Sequence, residues 1–178
     1  CYKLYYVPKI KNRVQQYDPT KTRHVVLTVD RENFPGPYEA LMGITDKKEL
    51  SAFVRRLEKG KSVKQGPQWK YIYTPVAIDR ALSVLEFHRD GFPHWHLLIQ
   101  VAQSGKAGMI GQANLLDAWK YGLIREEYFR DLAHWGRIAG YFAEKGYFEK
   151  GKEYQSVLPE CIKEKLERKI KRIIPYKE

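Results

Sequence analysis

The chain has little cysteine and no long apolar run. Its 178 residues include two cysteines, Cys1 and Cys161, which give neither a disulfide framework nor a CxxC metal site. A reducing, intracellular setting fits this composition best. No apolar run approaches membrane-spanning length, and the sequence shows no signal-peptide pattern and no internal repeat. The phosphate-binding pattern GxxxxGK[ST] is also missing, which excludes a P-loop helicase unit from these residues.

Acidic residues are outnumbered by basic ones. The sequence carries 32 lysines and arginines against 21 acidic residues, a formal net charge of +11. Such an excess favours a polyanionic partner, and nucleic acid is a better match than an anionic membrane surface. Thirteen tyrosines and four tryptophans add rings on which unpaired bases can stack. We therefore expect a nucleic-acid partner and no membrane association.

Strand and helix patterns are intermixed along the chain. The β-branched run His24–Val29 predicts a buried strand, and residues 81–88 and 94–101 predict a hairpin, which requires antiparallel pairing. A capping-box spacing at Asp46 and Glu49 predicts a helix that Gly60 ends. Further helices are predicted at Ala113–Tyr121, Asp131–Lys145 and residues 160–174. A further strand is predicted at Lys3–Val7 and a short one at Lys70–Pro75. Residues 30–37 and 61–69 are predicted to be loops.

These elements predict an α+β fold, with a central, mainly antiparallel sheet flanked by helices. We expect one domain over residues 1–178. Its core would occupy about residues 24–150, after a basic N-terminal segment. An amphipathic C-terminal helix would follow at about residues 160–174.

The predicted hairpin carries the strongest chemical signal. His94 and His96 are two apart on a strand, so their imidazoles share one face. If His88 pairs with His94 across an Arg89–Pro93 turn, Glu86 lies opposite His96 on that face. Two imidazoles and a carboxylate suit a divalent metal ion and leave coordination positions open for substrate. Mn²⁺ or Mg²⁺ is the expected ion, and His88 is the alternative third ligand.

A tyrosine in the helix predicted at 131–145 offers a nucleophile. Tyr141 and Lys145 are four residues apart and therefore share one face of that helix. A nearby ammonium lowers the cost of forming a phenolate. Tyr147 with Lys150 is the alternative pair, at a spacing of three. The same pattern also fits a purely structural role, in which Tyr141 is a core residue and Lys145 is a solvated lysine.

Together these segments resemble a known family. Glu86, Gly91 and the run Pro93–Ile99 are similar to the signature of HUH endonucleases, named for two histidines around a bulky hydrophobe. The run Tyr141–Gly146 resembles the tyrosine helix of rolling-circle replication initiators, the Rep proteins, except that the lysine follows the tyrosine by four residues rather than three. The strand Val25–Val29 resembles their first motif. Histidines that precede the tyrosine also match the Rep order rather than that of relaxases.

The resemblance implies an HUH nuclease that nicks and joins single-stranded DNA at a replication origin. Tyr141 would attack the scissile phosphate and form a 5′-phosphotyrosine link, with Lys145 assisting. His94, His96 and Glu86 would hold the metal. Single-strand transposases and relaxases of the same superfamily are alternatives, and so is a basic nucleic-acid-binding module without catalysis.

The resemblance also implies partners and a cellular place. Host replication proteins and further copies of the chain are the expected protein partners. The setting would be a prokaryotic cytoplasm, or a host cell that carries the virus or plasmid encoding the protein. The basic residues expected to contact DNA are Lys9, Lys11, Arg13, Arg23 and Arg137.

Overall fold

The computed structural model describes residues 12–148, without the side chains of residue 71 and residues 143–148. Six strands lie in this range: β1 Thr22–Thr28, β2 Lys61–Gln65, β3 Gln68–Tyr73, β4 Ile78–Phe87, β5 Pro93–Val101 and β6 Ile124–Tyr128. Residues 12–15 are also helical, and the longer α-helices of the same range are α1 Pro37–Thr45, α2 Glu49–Lys59, α3 Gln112–Ala118 and α4 Leu132–Phe148. The predicted strand at Lys3–Val7 and the predicted helix at 160–174 lie outside the described residues.

The main sheet has four antiparallel strands in the order β4-β5-β1-β6. The strand with the two histidines, β5, is therefore an inner strand, paired with β4 on one side and β1 on the other. Strands β2 and β3 form a separate two-stranded hairpin. The predicted α+β class with an antiparallel sheet is confirmed.

The two faces of the sheet are covered by different elements. Odd-numbered residues of β1 and β5, such as Leu27 and Leu97, join a core with residues of α1, α2 and α3. Even-numbered Leu98 and Val84 join a second cluster that contains Phe142 of α4. His94 and His96 share the even face because side chains alternate along a strand. Helix α4 and the two histidines therefore lie on the same side of the sheet.

Several element predictions are wrong, each for a local reason. Asp46 ends α1 rather than capping α2, and Lys48, at a φ of 54°, is the residue before α2. Helix α1 was missed because its Gly36–Pro37 start reads as a loop, yet proline suits the first helical turn. The segment 61–69 predicted as a loop contains β2, and β6 was not predicted at all.

Two further features bear on the predictions. Gly60 has a φ of 64° and ends α2 as predicted, with its N–H on the carbonyls of Arg56 and Leu57. Leu132 is apolar, yet it is 76% exposed at the start of α4. Within residues 12–148, no helix is long and apolar enough to cross a membrane.

Candidate metal centre

A tight turn joins the two strands of the histidine hairpin and sets their register. The His88 carbonyl accepts from Gly91 N–H, and His88 N–H donates to Phe92 O, each at 2.8 Å. Gly91 has a φ of 88°, a conformation that favours glycine in three-residue hairpin loops. Glu86 therefore pairs with His94, not with His96 as predicted. The difference is two residues, so Glu86 keeps the predicted face.

Glu86, His94 and His96 converge on one point. Their ligand atoms all lie within 4.8 Å of one another. Glu86 Oε2 is 3.2 Å from His94 Nε2 and 3.3 Å from His96 Nε2. His96 Nε2 is nevertheless buried without a hydrogen-bond partner. A buried nitrogen without a hydrogen-bond partner costs free energy. A divalent cation at the point shared by the three ligand atoms would bind the lone pair of His96 Nε2 and so offset that cost.

His88 does not join this group. Its ring stacks on His94 with centroids 4.2 Å apart, and its side chain is exposed. Among the described residues, the cluster that could hold a metal contains Glu86, His94 and His96 only. The carboxylate rather than the third imidazole therefore occupies the position that a third ligand needs.

His24 of β1 supports the centre from the neighbouring strand. His24 Nε2 lies 2.9 Å from His96 Nδ1, and the two rings stack with centroids 5.2 Å apart. Burial, followed by the nearby His96, lowers the pKa of His24 to about 4. A neutral His24 can accept from His96 Nδ1–H, which leaves the His96 Nε2 lone pair for a metal. Ligand histidines commonly have such a partner on the second ring nitrogen.

Glu127 of β6 continues this line of polar groups. It pairs with His24 in the strand register, and its Oε2 lies 3.9 Å from His24 Nδ1. The distance exceeds hydrogen-bond range, but the negative charge favours a proton on Nδ1 of His24. With the proton on Nδ1, Nε2 of His24 can accept the hydrogen bond from Nδ1–H of His96.

Tyr141 lies against the same centre. Its ring meets the edge of His96 with centroids 5.2 Å apart, and its hydroxyl hydrogen-bonds to Glu86. Burial, that hydrogen bond and the Glu86 charge raise the pKa of Tyr141 well above its ordinary value. The phenol therefore keeps its proton beside Glu86. Phe142, fully buried in α4, holds this stretch of helix against the sheet.

The remaining predicted catalytic residues are not all described. Lys145 and Tyr147 belong to α4, but their side chains are outside the described set, and Lys150 lies beyond residue 148. Of the predicted DNA contacts, Lys9 and Lys11 precede the described range. Arg13 and Arg137 are exposed. Arg137 is one helical turn before Tyr141, on the same face of α4.

Arg23 is buried rather than available to DNA. Its side chain is completely inaccessible, and its guanidinium donates to the carbonyls of Gly108, Gln103 and Gly105 at 2.8–3.0 Å. It also faces Glu126, whose carboxylate accepts from two backbone N–H groups. The guanidinium thus joins β1 to the loop after β5, and the expectation of a DNA contact was wrong for this residue.

A cleft opens beside the centre. It encloses about 690 Å³, and its wall includes His88, Thr28, Arg31, Lys120 and Trp119. Thr28 is the β1 partner of His94 in the strand register, so the cleft begins next to the candidate ligands. Comparisons with protein-family models, with curated proteins and with solved structures found no match to this chain.

Proposed function

We propose that this protein is an HUH-type endonuclease that cleaves and rejoins single-stranded DNA through Tyr141 and so initiates rolling-circle replication. His94, His96 and Glu86 would bind the divalent metal, Mn²⁺ or Mg²⁺. The observation that carries the proposal is the position of Tyr141, which packs on one candidate ligand and hydrogen-bonds to another. A nucleophile must reach the phosphate that the metal contacts, and the hydrogen bond to Glu86 keeps the Tyr141 hydroxyl beside the candidate ligands.

The reaction exchanges one phosphate ester for another. The Tyr141 oxygen forms a bond to phosphorus, and the bond from phosphorus to the 3′ oxygen breaks. The phenol gives up its proton, and the departing 3′ oxygen gains one. The resulting 5′-phosphotyrosine keeps an ester bond of similar energy, so attack by a 3′ hydroxyl rejoins the strand without ATP. When bound, the metal supplies positive charge that stabilises the developing charge on the phosphate oxygens.

The chain's own residues prepare this step. Glu86 accepts the hydrogen bond of the Tyr141 hydroxyl and so fixes the direction of the phenol oxygen. Glu86 would also hold the cation, and with its charge shared in this way it would oppose loss of the phenolic proton less strongly. His24 fixes the ring of His96 by the contact at 2.9 Å. The cleft beside His88 offers room for the substrate strand, and its wall contains Lys120, Asp30 and Arg31, the last paired with Asp90.

A cleavage assay tests the proposal. The purified chain is mixed with random-sequence single-stranded oligonucleotides and Mn²⁺, with label placed at either end. We expect cut products and a denaturation-resistant adduct that retains the fragment 3′ of the cut. Tyr141→Phe should abolish the adduct, because it removes the attacking oxygen while the ring still packs on His96.

Tyr147→Phe is the matched control in the same helix. It should leave the adduct unchanged, and loss of the adduct in this variant instead would assign the nucleophile to Tyr147. Lys145→Ala should slow adduct formation if the ammonium assists the phenol. Strand binding with neither cleavage nor adduct, over a range of origin-containing sequences and metals, would contradict the proposal and favour a binding module.

A further inference from the structure

The β2–β3 hairpin stands out from the rest of the fold. All five residues of β2 are exposed, and so are residues 66–70 and 72. Gln65 pairs with Gln68, which leaves a two-residue turn of Gly66 and Pro67. A φ of 62° at Gly66 followed by a proline suits the type II′ turn, which continues the twist of the strands. We call residues 61–73 the arm.

The arm is fixed at its base. Lys61 and Tyr73 are paired in the strand register, and both bond to the same carboxylate in α3. Lys61 Nζ lies 2.5 Å from Asp117 Oδ1, and the Tyr73 hydroxyl donates to Asp117 Oδ2 at 3.1 Å. The Tyr73 side chain is buried at this junction. The arm therefore projects from a defined attachment, and its distal half meets solvent.

One face of the arm combines an exposed aromatic ring with a lysine. Trp69 is 70% exposed, although the chain's other described tryptophans, Trp95, Trp119 and Trp135, are buried or half-buried. Lys64 is its direct partner in the strand register, so the two side chains share a face. The arm contains three lysines and no acidic residue. Its opposite face presents Lys70 with the exposed Val63 and Ile72.

We propose that the Trp69 face of the arm binds single-stranded DNA, with a base stacked on the indole and a neighbouring phosphate held by Lys64. An indole offers a flat ring that any base can stack on, and a lysine beside it neutralises the phosphate of the same nucleotide. Duplex DNA keeps its bases stacked on one another and offers no such ring face. The absence of acidic side chains on the arm leaves nothing to repel the backbone.

The arm would hold the strand beside the proposed cleavage site. Its base bonds to Asp117 of α3, and the neighbouring α3 residue Leu116 lines the cleft next to His88. A strand bound at both places would run from this cleft onto the arm. The identification of DNA as the strand rests on the proposed function, whereas binding by the arm requires no cleavage.

Binding is therefore measured without metal. The full chain is titrated in EDTA into a fluorescein-labelled oligothymidine strand of about 20 nucleotides, and anisotropy gives the affinity. Trp69→Ala should weaken binding about fivefold or more, whereas Trp69→Phe should retain most of it because a ring remains. Binding should quench tryptophan fluorescence in the wild-type chain, and this quench should be largely lost in Trp69→Phe.

The two faces provide matched charge variants. Lys64→Gln and Lys70→Gln remove the same charge from the same arm. Only Lys64→Gln should reduce the salt dependence of single-strand binding, by about 0.7 in the slope of log K against log salt. Trp69→Ala should leave the weaker binding to a matched duplex unchanged. Melting temperatures of all variants, expected to equal that of the wild type, establish that the fold is intact.

Three results would overturn the assignment. Unchanged single-strand affinity in Trp69→Ala would show that the indole makes no contact. Equal losses of single-strand affinity in Lys64→Gln and Lys70→Gln would show that lysines on either face of the arm attract DNA alike. A chain dimer that Trp69→Ala dissociates would assign the arm to self-association instead. Because cleavage is not measured, a failure of Tyr141 chemistry would not produce any of these results.

Discussion

A divalent metal should stabilise the folded chain through Glu86, His94 and His96. The three ligand atoms already lie within 4.8 Å of one another, so little rearrangement opposes binding. The unfolded chain has no such arrangement, and metal binding therefore adds to folding stability. At a free Mn²⁺ concentration one hundred times the dissociation constant, the gain is about 2.7 kcal/mol.

The expected rise in melting temperature follows from chain length. For a chain of this size, 1 kcal/mol corresponds to a shift of about 2–4 °C, so 2.7 kcal/mol predicts roughly 5–11 °C. Differential scanning fluorimetry in EDTA and in rising Mn²⁺ measures this shift. Glu86→Gln and His94→Ala should each remove most of it, since a charged or imidazole ligand is lost. The melting temperature of each variant with Mn²⁺ is compared with that of the same variant in EDTA.

Two histidine variants serve as controls for this shift. His88→Ala should retain it, because His88 stacks on His94 outside the ligand group. His134→Ala should also retain it, because that ring packs on Phe129. A wild-type chain that Mn²⁺, Mg²⁺ and other first-row divalent ions fail to stabilise would refute the metal centre. Loss of the shift in His88→Ala alone would assign the third ligand position to that residue.

Three other substitutions test the surroundings of the centre. His24→Ala should weaken Mn²⁺ binding about 10- to 100-fold by calorimetry, while His24→Gln, whose amide oxygen can accept from His96, should restore part of it. Phe142→Ala should lower the free energy of unfolding by about 3–5 kcal/mol in denaturant titrations, because it empties a fully buried site. Arg23→Met should destabilise the fold by about 3 kcal/mol or more, since several buried carbonyls lose their donor. Its affinity for single-stranded DNA should stay unchanged, and a loss of affinity with an intact fold would contradict the buried role.

Local periodicity was enough to predict that Glu86, His94 and His96 share one face of the sheet. Two histidines that are two residues apart on a strand share a face, whichever strand lies beside them. Glu86 of the neighbouring strand shares that face whenever the true hairpin register differs from the predicted one by an even number of residues. The hairpin register was wrong by two residues because the turn has three residues rather than five. An error of two does not change the face, so the predicted ligand group survived. An odd error would have removed Glu86.

Long-range pairing explains what the sequence did not reveal. His24 was missed because its contact with His96 depends on β1 lying next to β5, and strand order is not a local property.

Arg23 did carry a local signal: it shares strand parity with Val25 and Leu27, which are completely buried. Its positive charge led to a DNA assignment, whereas alternation along β1 already indicated the core face. The segment Ile124–Tyr128 forms an edge strand whose charged residues obscure the strand pattern.

The most direct measurement is the identity of the residue that carries the DNA. After reaction with Mn²⁺ and a single-stranded oligonucleotide, the adduct is trimmed by nuclease and protease and sequenced by mass spectrometry. We expect a nucleotide joined through its 5′ phosphate to the oxygen of Tyr141. A modified peptide from any other part of the chain, or cut DNA with no modified peptide, would contradict the account.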